Sequence, residues 1–114
     1  MVWGDYKNNI IEYVFGCMER SEFAPYICPE CGQRSVHLYM HVHNLNTRRG
    51  GLWIWCSSCR NFLHSSHYIP LNWNNFTGVE PEKLSAIPAY LDELKVEIDM
   101  YLNMNITQIN NKGM

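Results

Sequence analysis

Hydrophobic and polar residues change their period twice along the chain. Between Asp5 and Arg20 the apolar side chains Tyr6, Ile10, Ile11, Val14, Phe15 and Met18 recur at helical spacing, which predicts an amphipathic helix over 5–20 with Asp5 at its cap. Ser21 to Pro25 ends it. From Ile27 to Ile69 the period shortens to two: Val36, Leu38, Met40 and Val42 point one way along a strand, while His37, Tyr39, His41 and His43 point the other. Asn44 to Gly51 is a turn-rich loop, Leu52 to Cys56 reads as the returning strand of a hairpin, and Asn61 to Ile69 as a third strand. Pro70, Asn72, Asn74, Asn75 and Gly78 then interrupt regular structure, and Pro81 opens a short helical turn. From Pro88 onward Leu91, Leu94, Ile98, Tyr101 and Leu102 form a stripe opposite Asp92, Glu93, Lys95, Glu97 and Asp99, predicting a helix over 88–104 and a frayed polar tail over 105–114. The expected fold class is α+β, a small antiparallel sheet flanked by N-terminal and C-terminal helices. A chain of 114 residues fits one domain over 1–114.

No apolar run reaches the roughly 20 residues of a membrane span, and the N-terminus lacks the basic start and unbroken apolar stretch of a signal peptide. The expected compartment is the cytoplasm, with no membrane partner. Net charge is −2 but uneven: residues 1–24 carry two basic and four acidic side chains, 25–76 carry four arginines against Glu30 alone, and 77–114 carry three lysines against six acids. An acidic chain disfavours tight non-specific binding to phosphate backbones, although a local basic patch can still form.

Five cysteines are an odd number, and without an export signal a disulfide framework is not expected. Cys17 falls near the apolar stripe of the first helix and reads as a small buried side chain. The other four form Cys28-Pro29-Glu30-Cys31 and Cys56-Ser57-Ser58-Cys59, two Cys-x2-Cys turns separated by 24 residues. A two-residue spacer lets a tight turn aim both sulfurs at one ion, so two such turns supply four thiolates. That set closes a tetrahedral Zn²⁺ shell and leaves no position for water, which predicts one structural zinc. The pattern resembles the zinc-ribbon group over residues 26–69, with "CPECG" as the first knuckle and Gly32 where the turn must relax. Arg60 stands where the second knuckle of such domains often has glycine, and Asn61 is the nearby residue that tolerates a left-handed backbone. Iron in a rubredoxin-like site is the rival metal, and Arg60 weighs against it.

With four cysteines closing the shell, the histidines are free for other roles. His41 and His43, about 7 Å apart along a strand, could share a second ion but lack a third ligand. No nucleophile, base and orienting acid can be assembled from sequence alone, so the chain is expected not to be an enzyme. Two readings remain: the histidines are polar residues on the solvent face of a sheet, or that face meets a partner, for which His37, Tyr39, His41, His43, Trp53 and Trp55, with Arg48 and Arg49 at the hairpin tip, are residue types that anchor interfaces. One expected function is a non-enzymatic protein-binding module for a basic partner. The chain is similar in size and charge to small bacterial zinc-ribbon proteins, among them immunity proteins that neutralise toxins, and that resemblance implies an inhibitor. The alternative is a nucleic-acid-binding ribbon in transcription or RNA processing, with Arg48 and Arg49 on phosphates and aromatics stacked on bases.

Overall fold

A computed structural model describes residues 2–7 and 9–112, the last seven as helical backbone. Five strands form one sheet: β1 (Gly4–Asp5), β2 (Tyr26–Ile27), β3 (Arg34–Asn44), β4 (Arg49–Cys56) and β5 (Asn61–Tyr68), in the order β1-β5-β4-β3-β2. The helices are α1 (Ile10–Glu19), α2 (Ala89–Glu93) and α3 (Lys95–Lys112), with a 3₁₀ turn over Pro81–Lys83. The α+β class holds, and the sheet is larger than the three-stranded ribbon that the sequence pattern predicts.

The first helix starts later than its periodicity suggests. Gly4 and Asp5 add a short parallel strand to β5, opposite Asn61 and Phe62, so Asp5 does not cap the helix. Asn9 does: its side-chain oxygen accepts from the Glu12 amide and its amide donates to the Glu12 carboxylate. At the other end Ser21 takes a positive φ of 63°, and the amides of Ser21 and Glu22 return to the carbonyls of Met18 and Cys17, closing the last turn.

Register assigns the two faces of the sheet. Val36, Leu38 and Met40 lie opposite Cys56, Ile54 and Leu52, while His37, Tyr39 and His41 lie opposite Trp55, Trp53 and Gly51. The aliphatic face receives α1, which buries Ile10, Val14 and Cys17 and sets the Phe15 ring against His67. The aromatic face receives α2, α3 and the segment before them: Trp73 meets both Tyr39 and Tyr101 edge-on, and Asp99 of α3 reaches His37. Both faces are interior. Seven successive residues, Val36 to Val42, are therefore buried, where simple alternation foresees a solvated side.

The segment after β5 is held by specific polar contacts. Asn75 donates to the Val42 carbonyl at 3.1 Å and accepts from the Val42 amide at 2.7 Å, and the Trp73 indole donates to the Met40 carbonyl at 2.8 Å. These side chains stand in for a neighbouring strand along part of the β3 edge. Arg48, at φ 60°, sends its guanidinium to the carbonyls of Ile69, Pro70 and Trp73 and so ties the hairpin tip to the same segment.

The helix expected over 88–104 is two helices. It breaks at Leu94, where no proline or glycine intervenes, and α3 continues as helix to Lys112 through most of the segment read as a frayed tail. Residues 113 and 114 lie outside the described residues. No helix among the described residues is long and apolar enough to cross a membrane.

Among the described glycines the least room for a side chain is at Gly50, where a Cβ would lie 2.0 Å from the His41 carbonyl oxygen. Gly50→Ala is expected to cost about 3 kcal/mol or more in urea unfolding, since the obstacle is backbone. Gly32→Ala, with a φ of +78° but nothing within 4 Å of the new Cβ, should cost only about 1–2 kcal/mol.

Candidate metal centre and its polar frame

The β2–β3 turn carries Cys28 and Cys31, and the β4–β5 turn carries Cys56 and Cys59. Pairing of Val36 with Cys56 brings the turns together, so the 24 intervening residues are the hairpin that aligns them. Both turns are built alike. Gly32 donates to the Cys28 carbonyl at 2.9 Å and Arg60 to the Cys56 carbonyl at 3.0 Å. The residue after each second cysteine is left-handed: Gly32 at φ 78° and Arg60 at φ 65°. Arg60 itself adopts the strained conformation that the sequence would assign to Asn61. Its guanidinium lies 4.7 Å from the centroid of the Trp3 ring and 3.4 Å from Asp92, and its carbonyl accepts from Gly4. These contacts offset the cost of a left-handed non-glycine.

All four sulfurs lie within 4.8 Å of one another, with Cys28 to Cys59 at 3.8 Å and Cys31 to Cys56 at 3.7 Å. A tetrahedron with metal–sulfur bonds of about 2.3 Å has edges of about 3.8 Å, so the spacing fits a thiolate-bound ion. The sulfurs' own electrostatics calls for one. Burial and the neighbouring thiols Cys56 and Cys28 push the Cys59 thiol up to about 12. Burial also raises Cys28, but the Tyr6 hydroxyl at 3.2 Å and the amides of Cys31 and Glu30 outweigh it and bring that thiol to about 7. Burial and the same sulfur keep the Tyr6 proton in place well above the ordinary phenol range. Four thiolates so close together need a cation between them, and these four cysteines can hold a metal ion such as zinc. The periodicity placed Tyr6 on a helix; it lies between β1 and α1 and supplies a hydroxyl to the cluster.

The second cysteine turn continues into a buried polar network. Both Asp99 oxygens lie on His37 Nδ1, at 2.8 and 2.9 Å, and His37 Nε2 is 2.7 Å from the Ser57 hydroxyl. Ser57 donates to Asp92 at 2.9 Å, and Asp92 also accepts from the Trp55 indole at 3.0 Å and from Arg60. Asp99, which helical periodicity puts on the polar side, is 8% exposed. The order serine, histidine, aspartate is that of a nucleophile, base and orienting acid. Three features favour a structural role. Asp92 takes the hydroxyl proton that a base would need, the Ser57 amide is spent on the Ser35 carbonyl, and the flanking cysteines fix the Ser57 backbone.

The other sequence candidates separate. Tyr39, Trp53 and Trp55 are buried, as are His37 and His41, so these five are packing and network groups with no surface to offer a partner. The physical reason is the cover supplied by α2, α3 and the Trp73–Phe76 segment. Tyr39 donates to or accepts from His41 at 3.1 Å, and Trp53 stacks on His64 at 4.4 Å and donates to the Ser85 carbonyl. Burial, with His43 beside it, holds His41 below the usual imidazole value. His43 and Arg49 are exposed, and Arg48 is committed to the three carbonyls named above. His41 and His43 join no metal-ligating group among the described residues. Cys17 is fully buried, with its thiol raised by burial.

No family model, curated protein or solved structure matches this chain. What it can do rests on its own residues.

Mass spectrometry under native conditions is expected to find one zinc per chain. Cys31→Ser with Cys59→Ser should abolish it and lower the unfolding midpoint, while Cys17→Ala should leave the metal content unchanged. His37→Ala should cost about 3 kcal/mol in urea unfolding because it strands the buried Asp99 carboxylate. Arg20→Ala, whose pair with Glu22 is on the surface, should not move the midpoint.

Proposed function

We propose that the chain is a non-enzymatic protein-binding module of zinc-ribbon type, and that the partner is a basic protein. The carrying observation is the surface of α3. Val96, Met100 and Met104, spaced four residues apart along one helix face, are 61%, 62% and 61% exposed. An apolar ridge of this kind on an otherwise tightly packed domain supports a docking role. Glu93 at the end of α2 and Glu97 in α3 are exposed, as are Glu12 and Glu19 on α1. An inhibitor or immunity-type protein that covers a basic enzyme is the form of binder this charge favours.

The disposition of the arginines counts against the nucleic-acid alternative. Arg48 is used on three backbone carbonyls, Arg60 on Asp92 and Trp3, and Arg34 reaches the Phe23 carbonyl. The aromatics that would stack on bases, Tyr39, Trp53 and Trp55, are interior. A phosphate-tracking groove needs several free cations beside exposed rings.

The test is co-purification with the products of the neighbouring genes after nuclease treatment. The expected result is one stoichiometric basic protein partner that stays bound after nuclease treatment and whose affinity falls only moderately between about 0.1 and 0.5 M salt, as exposed charge pairs are screened and apolar contacts persist. A preparation that binds only RNA or DNA, with affinity falling steeply over that range, would overturn the reading.

A further inference from the structure

Resting on the reading of a basic protein partner, we propose that the open edge of β5 takes an extended segment of that partner, bearing lysine or arginine, as a sixth strand. β1 covers only Asn61 and Phe62 of this eight-residue strand. The Arg60 and Phe62 carbonyls accept from Gly4 and Tyr6, so the backbone of the even-numbered residues faces away from β4. From His64 onward that side is bare. Among the described residues no group bonds to the outward amides and carbonyls of His64, Ser66 and Tyr68, and all three side chains are exposed. The β3 edge is treated differently: β2, Trp73 and Asn75 shield part of it. β5 also carries no lysine, acid or proline to discourage pairing.

The charge beside this edge selects its occupant. α1 lies over the aliphatic face with the Phe15 ring against His67, centroids 6.1 Å apart. Glu12 and Glu19 stand three residues before and four after Phe15, on its side of the helix, and both are exposed. They are the only charged side chains in α1. An extended segment gains main-chain hydrogen bonds from His64, Ser66 and Tyr68 whatever its sequence. A segment with cations at alternate positions, turned toward α1, gains the two carboxylates as well. An acidic segment would be repelled, and a second copy of β5 has no lysine or arginine to offer Glu12 or Glu19. The edge is separate from the ridge of α3, which packs on β3, two strands away.

The experiment follows backbone amide exchange by NMR in the zinc-loaded full chain. In the free chain the amides of His64, Ser66 and Tyr68 should exchange about tenfold or more faster than those of Leu63, Ser65 and His67, which face β4. A short alternating valine–lysine peptide should protect the three outward amides, and the same peptide with glutamate in place of lysine should not. Glu12→Gln with Glu19→Gln should weaken the lysine peptide about tenfold. Ser66→Pro removes one outward amide and leaves the β4 ladder intact, so it should abolish the protection while keeping the zinc. Equal protection by both peptides, insensitivity to Ser66→Pro, or no protection at millimolar lysine peptide would each overturn the assignment. So would sedimentation showing that the free chain pairs with a second copy through β5. Once a partner is in hand, tight binding unaffected by Ser66→Pro and by Glu12→Gln with Glu19→Gln would sink the edge while leaving the protein-binding reading intact.

Discussion

Four sulfurs sit within 4.8 Å of one another at the end of a sheet, and much of the molecule can be understood as what holds them there. Such a cluster is unfavourable by itself, because burial and mutual repulsion oppose the thiolate form that a metal requires. The protein counters this locally with amides from each turn and the Tyr6 hydroxyl. It counters it at longer range by pairing β3 with β4 through His37 and Trp55, directly beside Cys56. A cation between the sulfurs would then lock together β2, β3, β4 and β5, and through Arg60 and Gly4 also β1. The sheet and the cluster depend on each other, since neither turn presents its cysteines usefully without the strand register.

The same turn governs the helical layer. Ser57 lies inside the second cysteine pair, and from it hydrogen bonds run to His37 and Asp92, then to Asp99, Trp55 and Arg60. A buried carboxylate, Asp99, and a partly buried one, Asp92, on the C-terminal helices are thereby matched by a histidine, an arginine, an indole and a hydroxyl. Buried charges survive only with such partners. The helical layer breaks at Leu94, so Asp92 and Asp99, seven residues apart, reach the network from two helices, α2 and α3.

Local chemistry was legible in the sequence and long-range coverage was not. The cysteine turns declare themselves because two residues between ligands and a small residue afterwards are local requirements, although Arg60 shows that a side chain with enough tertiary contacts can take the glycine's place. The hairpin over β3 and β4 was legible from period two and a turn-rich loop. The burial of His37, Tyr39, His41, Trp53 and Trp55 was not, because alternation says which residues share a face and is silent on whether that face is covered. Its cover comes from residues 73–102, eighteen or more positions away in the chain. Asp92 and Asp99 carried a faint signal: they stand seven residues apart, one after Leu91 and the other after Ile98, both buried. Carboxylates repeated so close to a buried stripe are placed to meet something polar inside it. The parallel strand at Gly4 and Asp5 left no comparable trace, since two residues are too few to show a period.

The covering of both sheet faces also decides where function can reside. A ribbon with one open face would offer its strand residues to a partner, as the histidine and tryptophan alternation suggests. Here that face is closed by α2, α3 and the Trp73–Phe76 segment, and Asn75 and Trp73 occupy part of the β3 edge. Surface chemistry is displaced outward onto the covering layer itself. The helix that buries Ile98, Asp99 and Leu102 against the sheet exposes Val96, Met100 and Met104 on its other side. Because Asp99 is fixed through His37 and Ser57 to the cysteine cluster, the orientation of that outer ridge is set by the same contacts that hold the sulfurs. The proposed binding surface and the cysteine cluster lie on different layers of the fold and are joined by one hydrogen-bonded frame.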